Sequence, residues 1–381
     1  MKYRIPFNRP WLTRAEADRV ARCLSDGQLG GDGPFTKQCE DLLEASFAAK
    51  RVLLTTSCTS ALEMAAMLCD LAPGDEVIMP SFTFVSTANA FLLRGAKPVF
   101  VDVRPDTLNL DERLVGAAVT ERTKAVVPVH YAGVACEMDE LRRIATTHRL
   151  RIIEDAAQAV NATYDGAYLG TLGDLGAYSF HESKNFVCGE GGALVVNRDD
   201  LTDRAEIIRE KGTDRARFFR GQVDKYTWVD IGSSFVPADI LAALLLAQLE
   251  RKEEITAARQ RVFEAYWEGL RPLATRGLVT LPTIPPRRTT NYHMFYLLVE
   301  DVTTRTALIE HLRNAGILGV FHYVPLHSSP MGRWLGYRPG MFPVSESASD
   351  RILRLPLYPT LDEREQASVV ATVLGFFGIG S

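Results

Sequence analysis

An alternation beginning near residue 50 limits the fold more than any other feature of the chain: short β-rich runs and helical runs take turns. RVLLTT is followed by SALEMAAMLCDL, EVIMP by FVSTANAFLLRG and then KPVFVDV, and the rhythm continues through KAVVPVHY, MDELRRIATTHRL, RIIEDAAQA, GAYSF and ALVVN. Apolar strands separated by helices predict an α/β fold, a mostly parallel sheet covered by helices. LTDRAEIIREKG then reads as an amphipathic helix, and the aperiodic TDRARFFRGQVDKYTWVDIGSS after it is long enough to be a binding element or a partner contact. ADILAALLLAQLERKEEITAARQRVFEAYWEGL reads as helical material linking two lobes, and LPTIPPRR breaks the chain near residue 281. A smaller α/β unit follows, with MFYLLVE and GVFHYV as strands, RTALIEHLRNAGI as a helix, and a closing helix near Glu363 to Phe377. The predicted division is a large domain over residues 1–250 and a linking helix with a small domain over 251–381.

At 381 residues and 46% hydrophobic, the chain can bury a large core. Its net charge of −4, with basic and acidic residues interspersed, gives no reason to expect nucleic acid as a partner. The longest apolar run, ILAALLLAQL, is too short to span a membrane, and the opening MKYRIPFNRP lacks the apolar core of a signal peptide, so a cytoplasmic location is expected. The six cysteines have no CxxC or Cys/His ligand spacing, which predicts small buried thiols and no metal site.

Three features could carry chemistry. In RIIEDAAQA an apolar strand ends in Glu154 and Asp155, which puts Asp155 near the carboxyl end of a parallel strand, where open α/β sheets hold their ligands. The same residue could instead cap the following helix. TTSCTSALEMAAMLCDL opens a helix after RVLL, and its exposed N–H groups with the hydroxyls of Ser57, Thr59 and Ser60 suit a phosphate, although hydroxyl residues also start helices that bind nothing. Lys184, in SFHESKNFVCGEGG, follows the strand GAYSF with Ser179 and His181 nearby; burial there would lower its pKa and leave a usable amine. A lysine, a carboxylate and a helix start are together what pyridoxal phosphate (PLP) requires. The chain has no GxGxxG after a first strand, no GxxxxGK[ST], no HExxH and no GxSxG.

PSFTFVST, EDAAQA, SFHESKN with GEGG, and the late HYVPLH resemble the DegT/DnrJ/EryC1/StrS family of sugar-nucleotide aminotransferases over essentially the whole chain. Within it, KGTDRARFFRGQVDKYTWVDIGSS and VFHYVPLH look closest to the transaminases that make dTDP-4-amino-4,6-dideoxygalactose. The resemblance implies fold type I, with a large αβα domain and a smaller C-terminal domain. It implies PLP, cycling with pyridoxamine phosphate, as cofactor, and transamination of a nucleotide-linked 4-keto-sugar such as dTDP-4-keto-6-deoxy-D-glucose, with L-glutamate as donor. A homodimer with shared active sites is also implied.

Carried over by motif, Lys184 forms the Schiff base, Asp155 partners the pyridinium nitrogen, Gln158 stands near the phenolic oxygen, and Phe84 stacks on the ring. Ser179, Thr59 and Ser60 hold the phosphate, with Ser57 and the Cys58 amide as helpers. His181 sits in the lysine motif and is counted with Lys184 and Asp155 as catalytic. Gly30 and Gly31 of GQLGGDGPFTKQCE would let backbone approach the sugar, or simply make a turn, and His322, Tyr323 and His327 point toward substrate. One departure concerns GSSFVPAD: Val236 stands where many relatives have an asparagine that reaches the neighbouring subunit's phosphate, leaving Ser233 or Ser234 as substitutes. Other keto-sugars (a 4-keto-pentose, a 3-keto-hexose, a UDP sugar) fit the same motifs. A sugar dehydrase is a rival reading, but that branch replaces the lysine with histidine. A catalytically idle dimer that binds a nucleotide sugar is another.

Overall fold

The computed structural model describes residues 3–379. Its strands are β1 (Arg51–Thr55), β2 (Glu76–Pro80), β3 (Lys97–Val101), β4 (Thr123–Val126), β5 (Arg151–Asp155), β6 (Thr163–Tyr164), β7 (Ala167–Tyr168), β8 (Leu175–Ser179), β9 (Gly192–Val196), β10 (Arg288–Thr289), β11 (Phe295–Leu298) and β12 (Ile352–Leu355). Seven of them form the main sheet in the order β1-β9-β8-β5-β4-β2-β3. From β3 to β8 neighbouring strands run parallel, and only β9 reverses, antiparallel to both β8 and β1. The mostly parallel sheet expected from the alternation is therefore present.

Because successive side chains point to opposite faces of a strand, each apolar strand feeds two cores at once. Val52, Leu54, Val126 and Ile152 face one layer, built on helices Pro34–Phe47, Met138–His148 and Asp239–Glu250. Leu53, Val127 and Ile153 face the other, on helices Cys58–Leu68, Val85–Leu92 and Asp199–Arg209. The C-terminal ends of β1, β5 and β8 come out along one edge. Since β9 turns back beside β8, with Ser179 opposite Gly192, the segment from Phe180 to Gly191 is an excursion standing on that same edge.

The smaller unit packs the antiparallel pair β11–β12 against helices Lys252–Thr275, Val302–Asn314 and Glu363–Phe376, with Val262, Tyr266, Leu312, Leu353 and Val369 in one core. The expected linking helical material forms two helices that meet at Arg251, whose guanidinium turns aside to Glu16 at 3.1 Å and lies 4.5 Å from the Trp11 ring. The N-terminal segment runs with the smaller unit: Ile5 N donates to Gly316 O and Leu318 N donates to Ile5 O, each at 3.0 Å. GVFHYV does not form the expected strand. Val320 alone bridges to Arg354, and the chain then leaves the sheet to carry His322 and Tyr323 over the edge of the large domain. Among the described residues no helix is long and apolar enough to cross a membrane.

Candidate active site

The sheet edge forms one wall of a cavity of about 560 Å³, with the smaller unit as the other wall. At its base, helix Cys58–Leu68 starts directly after β1. Ser57 caps it, its hydroxyl accepting from Ser60 N at 3.0 Å, and Ser57, Cys58 and Thr59 all line the cavity. Gly192 makes this close packing possible, since a Cβ there would lie 2.4 Å from Cys58 N. A second helix, Val85–Leu92, begins beside the first, and Thr59 Oγ1 donates to Ser86 Oγ at 2.8 Å. Two helix starts and a hydroxyl cluster at one point favour an anion such as a phosphate. Ser60 is placed differently from the expectation. One turn along the helix, its hydroxyl lies 2.8 Å from Thr56 Oγ1 and 3.1 Å from Ser57 Oγ, and it serves the helix start rather than the cavity.

Asp155 ends β5 with its carboxylate held in place. Oδ2 accepts from Thr87 Oγ1 at 2.7 Å, and Oδ1 accepts from Ala157 N at 3.2 Å. Because the Thr87 proton goes to Asp155, Thr83, 2.8 Å from Thr87, donates in turn. Two oxygens offer about four acceptor positions, so capacity is left for a donor inside the cavity that Asp155 lines. Beneath it, the buried Glu154 accepts from the amides of Gly170, Leu172 and Gly173 and pairs with His130 at 2.8 Å, which fixes the strand end. Gln158 is fixed at both ends, Oε1 accepting from Ala132 N at 2.7 Å and Nε2 donating to Tyr323 OH at 3.0 Å.

Lys184 sits on the excursion between β8 and β9. That segment is pinned by Phe180 N to Gly191 O, Glu182 N to Gly189 O and Lys184 N to His181 O, and by Asn185, which bonds Asn291 O and the His293 ring. The Lys184 amine has no hydrogen-bond partner among the described residues. Burial pushes its pKa below the ordinary lysine value, against the opposing pull of Cys58 and Asp155. Ser179, buried, lines the same cavity. His181 stands on the rim, its Nδ1 accepting from Ser183 N at 3.1 Å and its Nε2 3.5 Å from Glu190.

An aromatic group closes the far side. Tyr323 stacks on His322 with ring centroids 3.6 Å apart, and Phe84, at the mouth, is 6.1 Å from Tyr323. Burial holds the His322 imidazole neutral and the Tyr131 hydroxyl protonated, and the hydroxyl lies 2.6 Å from Nδ1. His327 does not join them, contrary to expectation. Pro325 and the turn Leu326–Ser328 send it away from the cavity, where it is fully buried with Ser81 Oγ at 2.6 Å and Glu346 at 2.7 Å.

Gly30 and Gly31 are exposed and lie outside this chain's cavity. Gly31 answers a packing need, because a Cβ would lie 2.4 Å from Val236 Cγ1. Ser234 also lies outside the cavity, bridged to Glu210, and the surrounding loop leaves Phe219, Trp228 and Ile231 exposed. Sequence reasoning passed over Ser86, Thr87, His293, Arg259 and Arg354, all of which line the cavity. Thr87 lies inside PSFTFVST and could have been found there; the arginines carry no local signature.

The site presents a free amine, a carboxylate with spare acceptor capacity, a double helix start suited to a phosphate and aromatic rings at the mouth, and pyridoxal phosphate fits these residues. Among the described residues no cluster of His, Cys, Asp and Glu could hold a metal ion.

Comparison with known proteins agrees with this chemistry. Residues 10–374 match the model of the DegT/DnrJ/EryC1/StrS aminotransferase family. The spore coat polysaccharide biosynthesis protein SpsC of Bacillus subtilis is 34% identical over 377 residues, covering 97% of this chain and 96% of SpsC. Among solved structures, Spr1654 of Streptococcus pneumoniae, described as a sugar aminotransferase, matches in its PLP form with a TM-score of 0.91 and 28% identity, over 98% of both chains. A PMP form of Spr1654 matches equally, with a TM-score of 0.91. DesV of S. venezuelae matches with a TM-score of 0.88 and 32% identity, also over 98% of both chains.

Proposed function

Because the chain belongs to the DegT/DnrJ/EryC1/StrS aminotransferase family, and is thus a PLP-dependent sugar aminotransferase, we propose that it moves an amine from L-glutamate to the C4 ketone of a nucleotide-linked sugar, dTDP-4-keto-6-deoxy-D-glucose. Lys184 and Asp155 are its central residues in this reading. The observation that carries it is the pairing, in one cavity, of an unbonded, partly desolvated lysine amine with a carboxylate that keeps acceptor capacity open. The choice of sugar rests on the likeness of KGTDRARFFRGQVDKYTWVDIGSS and VFHYVPLH to the dTDP-sugar transaminases.

When bound, pyridoxal phosphate supplies an aldehyde carbon that takes up an amine and a conjugated ring that accepts electron density. The hydroxyls and amides at Ser57, Cys58 and Thr59, together with Ser179, anchor the phosphate. Asp155 holds a proton on the ring nitrogen and so favours electron flow into the ring. Phe84 would cover one face, and Gln158, braced by Tyr323, would stand by the phenolic oxygen. Lys184, as a free amine, carries a proton between the donor's α-carbon and C4′ of the cofactor, and later, in the reverse sense, to C4 of the sugar. His181 borders Lys184 at the rim, where its ring can orient incoming substrate. In a homodimer the exposed aromatic loop at residues 213–234 and Ser234 would complete the partner's site, with Gly30 and Gly31 at the sugar entry.

Incubating the purified protein with L-glutamate and a panel of dTDP- and UDP-linked keto-sugars should give one aminated nucleotide sugar, identified by mass and NMR, together with 2-oxoglutarate. Product from a UDP-sugar or a 3-ketone alone would overturn the substrate assignment, and loss of a hydroxyl without gain of nitrogen would favour the dehydrase.

A further inference from the structure

The opposite edge of the main sheet carries a second hollow, of about 600 Å³, apart from the site described above. It opens at the beginning of β5, between the end of helix Met138–His148, the turn at residues 172–174 and the segment Asn197–Arg198 beyond β9. Four arginines line it, Arg142, Arg149, Arg151 and Arg198, and among the described residues the acid on the lining is Asp174 alone. That acid is shared, since Arg151 Nη1 and Arg198 Nη1 both donate to its Oδ1, at 3.1 and 3.3 Å. Arg198 also pairs with Asp200 at 2.9 Å, outside the lining. Arg142 donates from Nε and Nη2 to Leu172 O, with Asp139, likewise outside, 3.8 Å from its Nη1. Arg149 pairs with nothing among the described residues, and neither do Nε and Nη2 of Arg151.

Guanidinium groups gathered around one carboxylate repel one another, and a bound anion relieves that repulsion. The carbonyl end of helix Met138–His148 favours one cation nearby, but it does not account for four. Arg149 ends that helix in the left-handed region, with φ +56°, where a glycine or asparagine would sit without strain, so its side chain is held there at a conformational cost. The pairs with Asp200 and Asp139 are exposed, hence weak, and can give way to a ligand of higher charge. Size then separates the candidate anions. A single phosphate would leave most of the hollow to water, whereas two linked phosphates can be shared among arginines carried by a helix, a strand start and the segment after β9. No aromatic ring is on the lining to stack on a base, so recognition falls on the charges.

We infer that this hollow is a second binding site, for a small molecule that carries a diphosphate and is held through it by Arg142, Arg149, Arg151 and Arg198. Planar guanidinium groups suit phosphate oxygens, each able to present two parallel N–H donors. The site goes beyond the transaminase reading and does not depend on it. Its floor nevertheless reaches the active-site strand. Leu172, whose carbonyl holds Arg142, donates its N–H to Glu154 at 2.6 Å, and Gly173 donates to the same carboxylate oxygen at 2.5 Å; Glu154 directly precedes Asp155. Asp174 closes on the same strand, its N–H donating to Ile152 O and its Oδ2 accepting from Ile152 N, each at 2.9 Å. A ligand drawn onto Arg142 and Asp174's partners therefore bears on the turn that fixes the end of β5.

The test is calorimetry on the PLP-loaded protein at low salt, titrated with inorganic pyrophosphate, dTDP and inorganic phosphate, for the wild type, Arg149→Gly and the double variant Arg149→Gly/Arg198→Gln. Loading with PLP fills the anchor at Ser57–Thr59, and neither variant touches the catalytic cavity. Pyrophosphate should bind once per chain and roughly 10-fold more tightly than phosphate. Its affinity should fall roughly 10-fold in Arg149→Gly and roughly 100-fold in the double variant, one charge-assisted contact being lost at each step. Amide exchange should slow on peptides covering 142–151 and 170–174 and stay unchanged on the peptide covering 57–62. A component of dTDP binding lost in the same variants assigns the site to a nucleoside diphosphate, and its absence assigns it to free pyrophosphate. If the double variant does not fold, Arg149→Gly, which changes one exposed and unpaired side chain, carries the comparison. Phosphate that binds as tightly as pyrophosphate overturns the diphosphate. Absent binding, affinity that the variants leave unchanged, or protection confined to 57–62 overturns the site. No arm requires turnover, so a failure here leaves the transaminase reading standing, and a failure of that reading leaves this site.

Discussion

Lys184→Ala is expected to lower steady-state turnover by at least about 10⁴-fold, because one side chain supplies both the amine that docks the cofactor and the base that moves its proton. No neighbour can stand in for it. His181 is on the rim and bonded to Ser183, and His293 has Nδ1 committed to Asn185, with burial lowering its pKa. Cysteine is no better a candidate, since burial raises the Cys58 thiol well above its usual range and keeps it protonated. The anchoring groups at Ser57–Thr59 and Asp155 survive the change, so the variant should still bind pyridoxal phosphate, visible in its absorbance, while product formation stops. The pattern to look for is retained binding with lost chemistry. A variant that keeps more than about one hundredth of wild-type kcat would remove Lys184 from its assigned place.

Asp155→Asn is the second large effect. The amide keeps the shape, and its one oxygen can still accept from Thr87, so the Thr83–Thr87 relay should persist while the longer 3.2 Å bond from Ala157 N is given up. What is lost is the negative charge facing the cavity. An amide cannot hold a proton on the ring nitrogen as a carboxylate does, and removing one pre-set electrostatic group of this kind slows reaction by roughly 10²- to 10³-fold. The loss should fall on kcat, with the KM for the amino donor little changed, because Asp155 acts on electron flow and not on the donor. Single-turnover absorbance measurements with L-glutamate separate the two. Wild-type rates in the variant would mean that Asp155 is only a helix-start residue, the alternative its position first allowed.

The residues legible in the sequence share a location. Ser57, Asp155, Ser179 and Lys184 follow apolar strands directly, and strand ends in a parallel sheet collect at one edge, so finding the strands was nearly enough to find the cavity wall. What the pattern could not give was direction beyond the strand. Ser60 and Thr59 are neighbours in one hydroxyl cluster, yet the helical rotation between them takes one into the cavity and the other to the helix start. The two histidines of HYVPLH looked equivalent until Pro325 turned His327 onto Ser81 and Glu346. Gly31 also answers a packing need that its glycine-rich run did not reveal, lying close against Val236. Arg354 was invisible for a different reason. No strand was read over ILRL, and only the fold sets Arg354 beside Phe7 at the cavity wall.

The most direct measurement is reductive trapping. Purified holoenzyme is treated with borohydride, digested, and its peptides mapped for a pyridoxyl group. The label should appear on the peptide that contains SKNF, on Lys184 and stoichiometrically. Label on another lysine, or a reduced protein whose cofactor washes away unattached, would contradict the placement of the reacting amine and everything built on it.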